Sequence, residues 1–246
     1  MIRRRVISVL TFFESVLTRT KKFKPDYRYT ANFVDTWSID EIILLNISTN
    51  RMKDTSFKKI INKFAKNCFV PLAAGGGINS VNDATSMIDS GADKVILNSV
   101  IFKNKNIISE ISKYLGTQCC VVSLDFKKIK NKYYAFSDLG KVNTSCECIE
   151  LVKKVEKEGA GEIMINRIEK DGSLEGYDLE LCSKISNAVK IPVLISGGAG
   201  NWEHFYQGFV KGKADAVCTS NIYHFTEKSI KSSKIYLKDK GINVRI

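Results

Sequence analysis

Short apolar runs alternate with longer amphipathic stretches along the whole chain. The runs predict strands over Val6–Phe12, Glu41–Ile47, Cys68–Ala74, Lys94–Asn98, Cys120–Asp125, Glu162–Ile165, Pro192–Ser196 and Ala216–Thr219. Most of the stretches between them have helical spacing. In Val81–Ser90 the residues Ala84, Met87 and Ile88 share one face, and in Glu150–Glu158 so do Leu151, Val152 and Val155. Strands that alternate with helices predict a parallel sheet, and eight such units close into a (β/α)₈ barrel. An open doubly wound sheet is the structural alternative.

The pattern repeats. VPLAAGGGINS followed by GADKVILNS in the first half answers IPVLISGGAGN followed by KADAVCTSN in the second. Pro71 and Gly77 match Pro192 and Gly198 at one common offset, and Asp40-Glu41-Ile42 answers Gly161-Glu162-Ile163. The expectation is one barrel over residues 1–246, built of two similar half-barrels at about 1–118 and 119–246.

Length changes this picture little, since 246 residues suit one eight-fold barrel. No apolar run reaches the roughly 20 residues needed to cross a bilayer. The opening MIRRRVISVLTFF could suggest a signal peptide, but Glu14 follows directly with no small-residue cleavage site. It reads as a first strand, and the protein is expected in the cytoplasm and off the membrane. Seven cysteines, an odd number, fit reduced thiols. The Cys146/Cys148 pair lacks a second pair or a nearby His, so no metal site is expected there. No cofactor motif is visible, and His204 and His224 are expected to be structural. The formal charge of +12 is spread along the chain without interleaved aromatics. That argues against nucleic acid and fits either a solvated basic surface or a protein that handles phosphorylated small molecules.

The candidate chemistry lies at strand ends. Gly75, Gly76 and Gly77 follow a strand directly, and a helix is expected to begin near Ser80. Glycine lets the backbone approach an anion, and the N–H groups of a helix start point toward it. The arrangement recurs at Gly197, Gly198 and Gly200. One βα unit after each copy comes a small polar strand end, Asn98-Ser99 or Thr219-Ser220. Two phosphate sites follow as the expectation. Gly76, Gly77, Asn98 and Ser99 would form one, and Gly172, Gly197, Gly198, Thr219 and Ser220 the other. The alternative is that the glycines only allow tight turns. Asp171, in KDGSLEGYD, would lie beside the second site as an acid or base, or else in a helix-entry turn.

RRRVISVL, DEIILLNI, VPLAAGGGINS, GADKVILNS, GTQCCVVSLD, GAGEIMINRIEKDGSLEGYDLEL, IPVLISGGAG and GINVRI together resemble the HisF-type cyclase subunit of imidazole glycerol phosphate synthase, over nearly the whole chain. The resemblance implies a HisH-like glutaminase subunit as partner, docked on the N-terminal face of the barrel. It implies ammonia passing through the barrel core to react with a bisphosphorylated ribulosyl aminoimidazole. The family's gate of one Arg, two Glu and one Lys is matched by Arg5, Glu41, Lys94 and Glu162, and its acidic partner contact by Asp93. A salt-bridge ring with no passage is the plainer reading of those four charges.

The catalytic face departs from the family. Of its two aspartates, the one on the fifth strand is present as Asp125, but Thr11 stands where the first strand should carry the other. Its Lys-Gly step appears as Arg19-Thr20, its Gly-Asp-Pro segment as Arg28-Tyr29-Thr30-Ala31, and the Asp ending the second strand as Asn46. Three functions compete. One is a diverged HisF-like subunit that passes ammonia to a separate sugar amidotransferase making acetamidino groups on O-antigen or nonulosonic acid sugars. The others are a working cyclase of histidine biosynthesis and a non-catalytic glutaminase activator.

Overall fold

The computed structural model describes residues 3–28, 39–48, 55–220 and 230–246. Tyr29–Ala31 of the altered loop and His224 lie outside the described residues. In chain order the first half carries β1 (Arg5–Phe13), β2 (Val16–Lys21), β3 (Lys24–Arg28), β4 (Glu41–Asn46), α1 (Thr55–Asn67), β5 (Leu72–Gly75), α2 (Val81–Asp89), β6 (Lys94–Leu97) and α3 (Ile107–Leu115). The second half carries β7 (Cys120–Ile129), β8 (Lys132–Ser137), β9 (Val142–Glu147), α4 (Cys148–Lys157), β10 (Glu162–Arg167), α5 (Leu179–Ser186), β11 (Val193–Ser196), α6 (Trp202–Val210), β12 (Ala216–Thr219) and a C-terminal helix, Ile230–Asp239.

Eight strands run parallel in the order β10-β11-β12-β1-β4-β5-β6-β7, and β10 pairs with β7 to close the ring. The open-sheet alternative is thereby excluded. Alternation along each strand sorts side chains into two cores. Val6, Leu10 and Phe12 of β1 pack outward against the helices. Ile7 and Val9 point inward and meet Ile43, Ala73, Ile96, Val121, Met164, Leu194, Ala216 and Cys218 in a waist across the barrel. The expected helix faces hold: Ala84 and Met87 of α2 are buried, as are Leu151, Val152 and Val155 of α4.

Two features correct the sequence reading. The third barrel strand begins at Leu72, not Cys68, because Pro71 has no N–H to give and the preceding Cys68–Val70 runs outside the sheet. The segment after β1, where no strand was expected, carries a hairpin: β2 pairs antiparallel with β1 and with β3. A second hairpin, β8–β9, extends β7. Both additions sit at the strand-end side of the barrel. The C-terminal helix is tied to the opposite side by Lys234, which is 2% exposed and donates to Asp40 Oδ1 at 2.6 Å.

Candidate functional site

The inward positions of the barrel form three levels. At the strand starts, Arg5 Nη1 lies 2.8 Å from Glu41 and 2.9 Å from Glu162, while Lys94 Nζ lies 3.0 Å from both carboxylates. The four charges, gathered from β1, β4, β6 and β10, alternate in sign around a closed ring. Burial pushes the Glu41 carboxyl above its ordinary range, against the pull of Lys94 and Arg5. Asp93 is exposed next to this ring, with Oδ2 accepting from Leu72 N at 2.8 Å.

Above the ring comes the apolar waist, and above the waist a cavity of about 120 Å³. Val9, Ile96 and Met164 of the waist form its floor. Its walls carry the inward side chains of the strand ends: Thr11, Asn98, Ser123, Asp125, Asn166, Ser196 and Ser220. Asp125 is buried, and Asn98 Nδ2 donates to its Oδ2 at 2.8 Å. Burial pushes the Asp125 carboxyl up to about 7, with the Asn98 amide opposing and Asp171 adding to the rise. Thr11 lines the same cavity, but its hydroxyl donates to the Thr18 carbonyl of the hairpin.

The hairpin also reaches Asp171, whose Oδ2 accepts from Phe23 N at 2.9 Å and whose Oδ1 accepts from Thr20 Oγ1 at 3.2 Å. Phe23 and Thr20 close part of the cavity wall. Asp171 follows a 3₁₀ turn, Ile168–Lys170, rather than opening a helix. Its carboxyl too is raised by burial.

A smaller hollow of about 20 Å³ lies beside the cavity, lined by Gly172, Gly197, Gly198, Thr219 and Ser220. All the residues expected of the second phosphate site therefore meet there. Gly198 has φ +103°, in the range that glycine tolerates, and its carbonyl accepts from Gly176 N at 2.7 Å. The Thr219 hydroxyl oxygen is buried without a hydrogen-bond partner. The N-terminus of α6, capped by the Asn201 side chain, follows directly. Of the other set, Gly76 and Asn98 line the central cavity and Gly77 and Ser99 do not. The Ser99 hydroxyl is engaged with Asn98 Oδ1 and Asp138 N.

Sequence reasoning missed Asn166, Thr20 and Phe23. Asn166 lies one residue before the end of β10, in register with Asp125 of β7. Its Oδ1 is buried and unpartnered at the cavity wall. Among the described residues no group of three His, Cys, Asp or Glu could hold a metal ion, and no helix is long and apolar enough to cross a membrane.

The raised Asp125 carboxyl has a measurable consequence. The folded protein holds a proton there that the unfolded chain, with an ordinary Asp near 3.9, releases. Its contribution is present below about pH 4 and is lost as pH rises toward 7. Asp125→Asn removes that loss and keeps an acceptor for Asn98. Thermal unfolding should show the variant more stable at pH 8 by a few kcal/mol, at about 1.4 kcal/mol per pKa unit. The difference should close at pH 4. Equal midpoints at pH 8 would mean that Asp125 is solvated.

Comparison with known proteins agrees with this arrangement. Residues 9–229 match the model of a family described as histidine biosynthesis protein. The chain is 42% identical over 217 residues to imidazole glycerol phosphate synthase subunit HisF of Chlorobium limicola, covering 88% of this chain and 86% of that one. It is 41% identical over 218 residues to the subunit of the same name from Clostridium botulinum strain Okra, with the same two coverages.

Proposed function

Because the chain belongs to the histidine biosynthesis protein family, we propose that it is the synthase-type subunit of a glutamine-dependent amidotransferase, related to the HisF subunits it matches. A glutaminase partner releases ammonia at the strand-start face. Arg5, Glu41, Lys94 and Glu162 gate its passage, and the apolar waist admits neutral ammonia while disfavouring ammonium, whose charge would be desolvated there. The ring is fully paired, so passage requires one ion pair to open. At the far end Asp125 handles the proton, and the hollow at Gly172, Gly197 and Gly198 takes a phosphate of the acceptor through backbone N–H groups. The unpartnered Thr219 hydroxyl supports that anion site.

The observation that carries this reading is the stack of levels on one axis: charged ring, apolar waist, polar cavity. An enzyme site alone needs only the top level. A glutaminase activator without chemistry of its own needs only the bottom.

The finer reading concerns the acceptor. Thr11 supplies a hydroxyl, committed to the hairpin, where the family's pattern has a second carboxylate. A hydroxyl does not serve as a general base near neutral pH. The protein is therefore the ammonia-conducting half of a cytoplasmic pair that serves a sugar amidotransferase, with acetamidino sugars of the bacterial surface as products. Reconstitution tests this. Glutamine-dependent amidination of an activated sugar should need three proteins together: this chain, its glutaminase and the sugar amidotransferase. Equal product formation without this chain would contradict the reading.

A further inference from the structure

Two polar side chains at the barrel mouth are buried with nothing to bond. Asn166, 9% exposed, lines the central cavity and leaves Oδ1 without a partner. Thr219, 3% exposed, lines the neighbouring hollow and leaves Oγ1 without one. Unpaired buried polar atoms are unfavourable, so each calls for a ligand or a water. The two stand at one junction, since Asp171, Ser196 and Ser220 belong to the walls of both spaces. The Asn166 amide faces Gly197 of the hollow so closely that any side chain there would collide with it. What the two groups ask for differs. The Thr219 hydroxyl can donate to a phosphate oxygen. Asn166 Oδ1 only accepts, so it suits a hydroxyl and not a phosphate dianion, which has nothing to donate.

The duplicated glycine ends have also diverged in charge. At the first, Asn79 N donates to Asp83 Oδ2 at 2.9 Å in the first turn of α2. At the second, Gly200 N donates to His204 Nδ1 at 3.1 Å in the first turn of α6. Asp83 and His204 are related by the same offset as Gly77 and Gly198. A carboxylate therefore stands where the other half has an imidazole, and it already uses the helix start's preference for negative charge. Asp138 brings a second carboxylate beside Ser99, whose hydroxyl accepts from Asp138 N at 2.9 Å, and Lys103 pairs with that carboxylate at 3.2 Å. The other end has the cation Lys170 near His204. The cavity between them is lined by Asp125 and Asp171 and, among the described residues, by no Lys, Arg or His.

We propose that this site selects a ligand with one phosphate and a chain of hydroxyls, a sugar monophosphate, and that Asn166 is the residue that reads the hydroxyl next to the phosphate. This rests on the phosphate-binding hollow of the reading above. The phosphate lies against Gly197, Gly198 and the Thr219 hydroxyl. The adjoining hydroxyl donates to Asn166 Oδ1, and the rest of the chain meets Ser123 and Ser196 on the way to Asp125. A second phosphate at the Gly76–Gly77 end would face carboxylates on both sides.

The test is a titration of the full-length protein at pH 8, followed by phosphorus NMR, with inorganic phosphate, ribose 5-phosphate and ribulose 1,5-bisphosphate as probes. Ribose 5-phosphate should bind at least about tenfold more tightly than inorganic phosphate, the worth of one or two hydrogen bonds. The bisphosphate should gain less than about threefold over it. Asn166→Ala should lose about tenfold for ribose 5-phosphate and bind inorganic phosphate as wild type does, while Thr219→Val should weaken both. Neither variant should unfold below the wild-type temperature, since the atoms removed have no partner. The comparison of probes on the wild-type protein holds whether or not a variant folds. An Asn166→Ala protein that keeps the wild-type preference would assign the amide to a water and overturn the inference. So would a bisphosphate bound more than about tenfold more tightly than ribose 5-phosphate. Both results would leave the phosphate hollow intact, whereas failure of every probe to bind, inorganic phosphate included, would remove the hollow as well.

Discussion

Given the family's bisphosphorylated ribulosyl aminoimidazole and excess ammonium, the protein will form imidazole glycerol phosphate at least about a hundredfold more slowly than an enzyme with both strand-end aspartates. That factor is the lower end of what a positioned acid or base contributes, about 2.7 kcal/mol of barrier. The argument is geometric. Asp125 stands buried where β7 leaves the barrel to pair with β8, with a carboxyl pushed up to about 7, suited to exchanging a proton near neutral pH. The inward position at the end of β1 is Thr11, whose hydroxyl already donates to the Thr18 carbonyl. Proton removal and proton delivery then fall to one carboxyl. Asp171 does not take the second role easily, since Phe23 N and Thr20 Oγ1 hold both its oxygens. Thr11→Asp alone should restore little, because the hairpin and Asn46 have changed too. Ammonium as the nitrogen source removes any dependence on a glutaminase. Turnover of about 1–10 per second would make this an ordinary cyclase.

The second large effect is at the gate. Glu41→Leu should cost about 3 kcal/mol of stability in urea unfolding, because it leaves the half-buried Arg5 and Lys94 with Glu162 as their only shared carboxylate among the described residues. The side chain of Glu41 is 2% exposed, so water cannot replace it. Replacing all four charges together by apolar residues of similar volume should instead be close to neutral in stability. The same fourfold variant should lose glutamine-driven transfer and retain ammonium-driven transfer, since external ammonia reaches the cavity from its open end. A fourfold variant that fails to fold would show the ring to be a staple, not a gate.

The barrel was legible because its strands follow simple alternation and the half-repeat marked the glycine ends twice. Arg5, Glu41, Lys94 and Glu162 were picked out by the resemblance to the HisF gate, and the structure brings them into one ring because each begins a barrel strand. The two hairpins were not legible, for a physical reason. The two-residue turns that lead into them, Glu14–Ser15 from β1 and Lys130–Asn131 from β7, and the Lys22–Phe23 turn between β2 and β3, have both residues at positive φ. Such turns ordinarily announce themselves with Asn-Gly or Asp-Gly, and none of these contains glycine. That omission hid Phe23 and Thr20, which reach Asp171 only through the hairpin. Asn98 was expected to hold phosphate, but its amide nitrogen is used on Asp125 and on the Ser123 carbonyl. Side-chain choices of that kind depend on which neighbours a closed barrel brings within 3 Å, and strand patterns do not carry them.

The central claim is that the three stacked levels exist to receive ammonia from a partner. Its most direct measurement is glutamate release by the glutaminase as this protein is added. The account predicts that hydrolysis rises with added protein and levels off at one barrel per glutaminase. A rate that stays flat through a molar excess, with no complex on sedimentation, would contradict it.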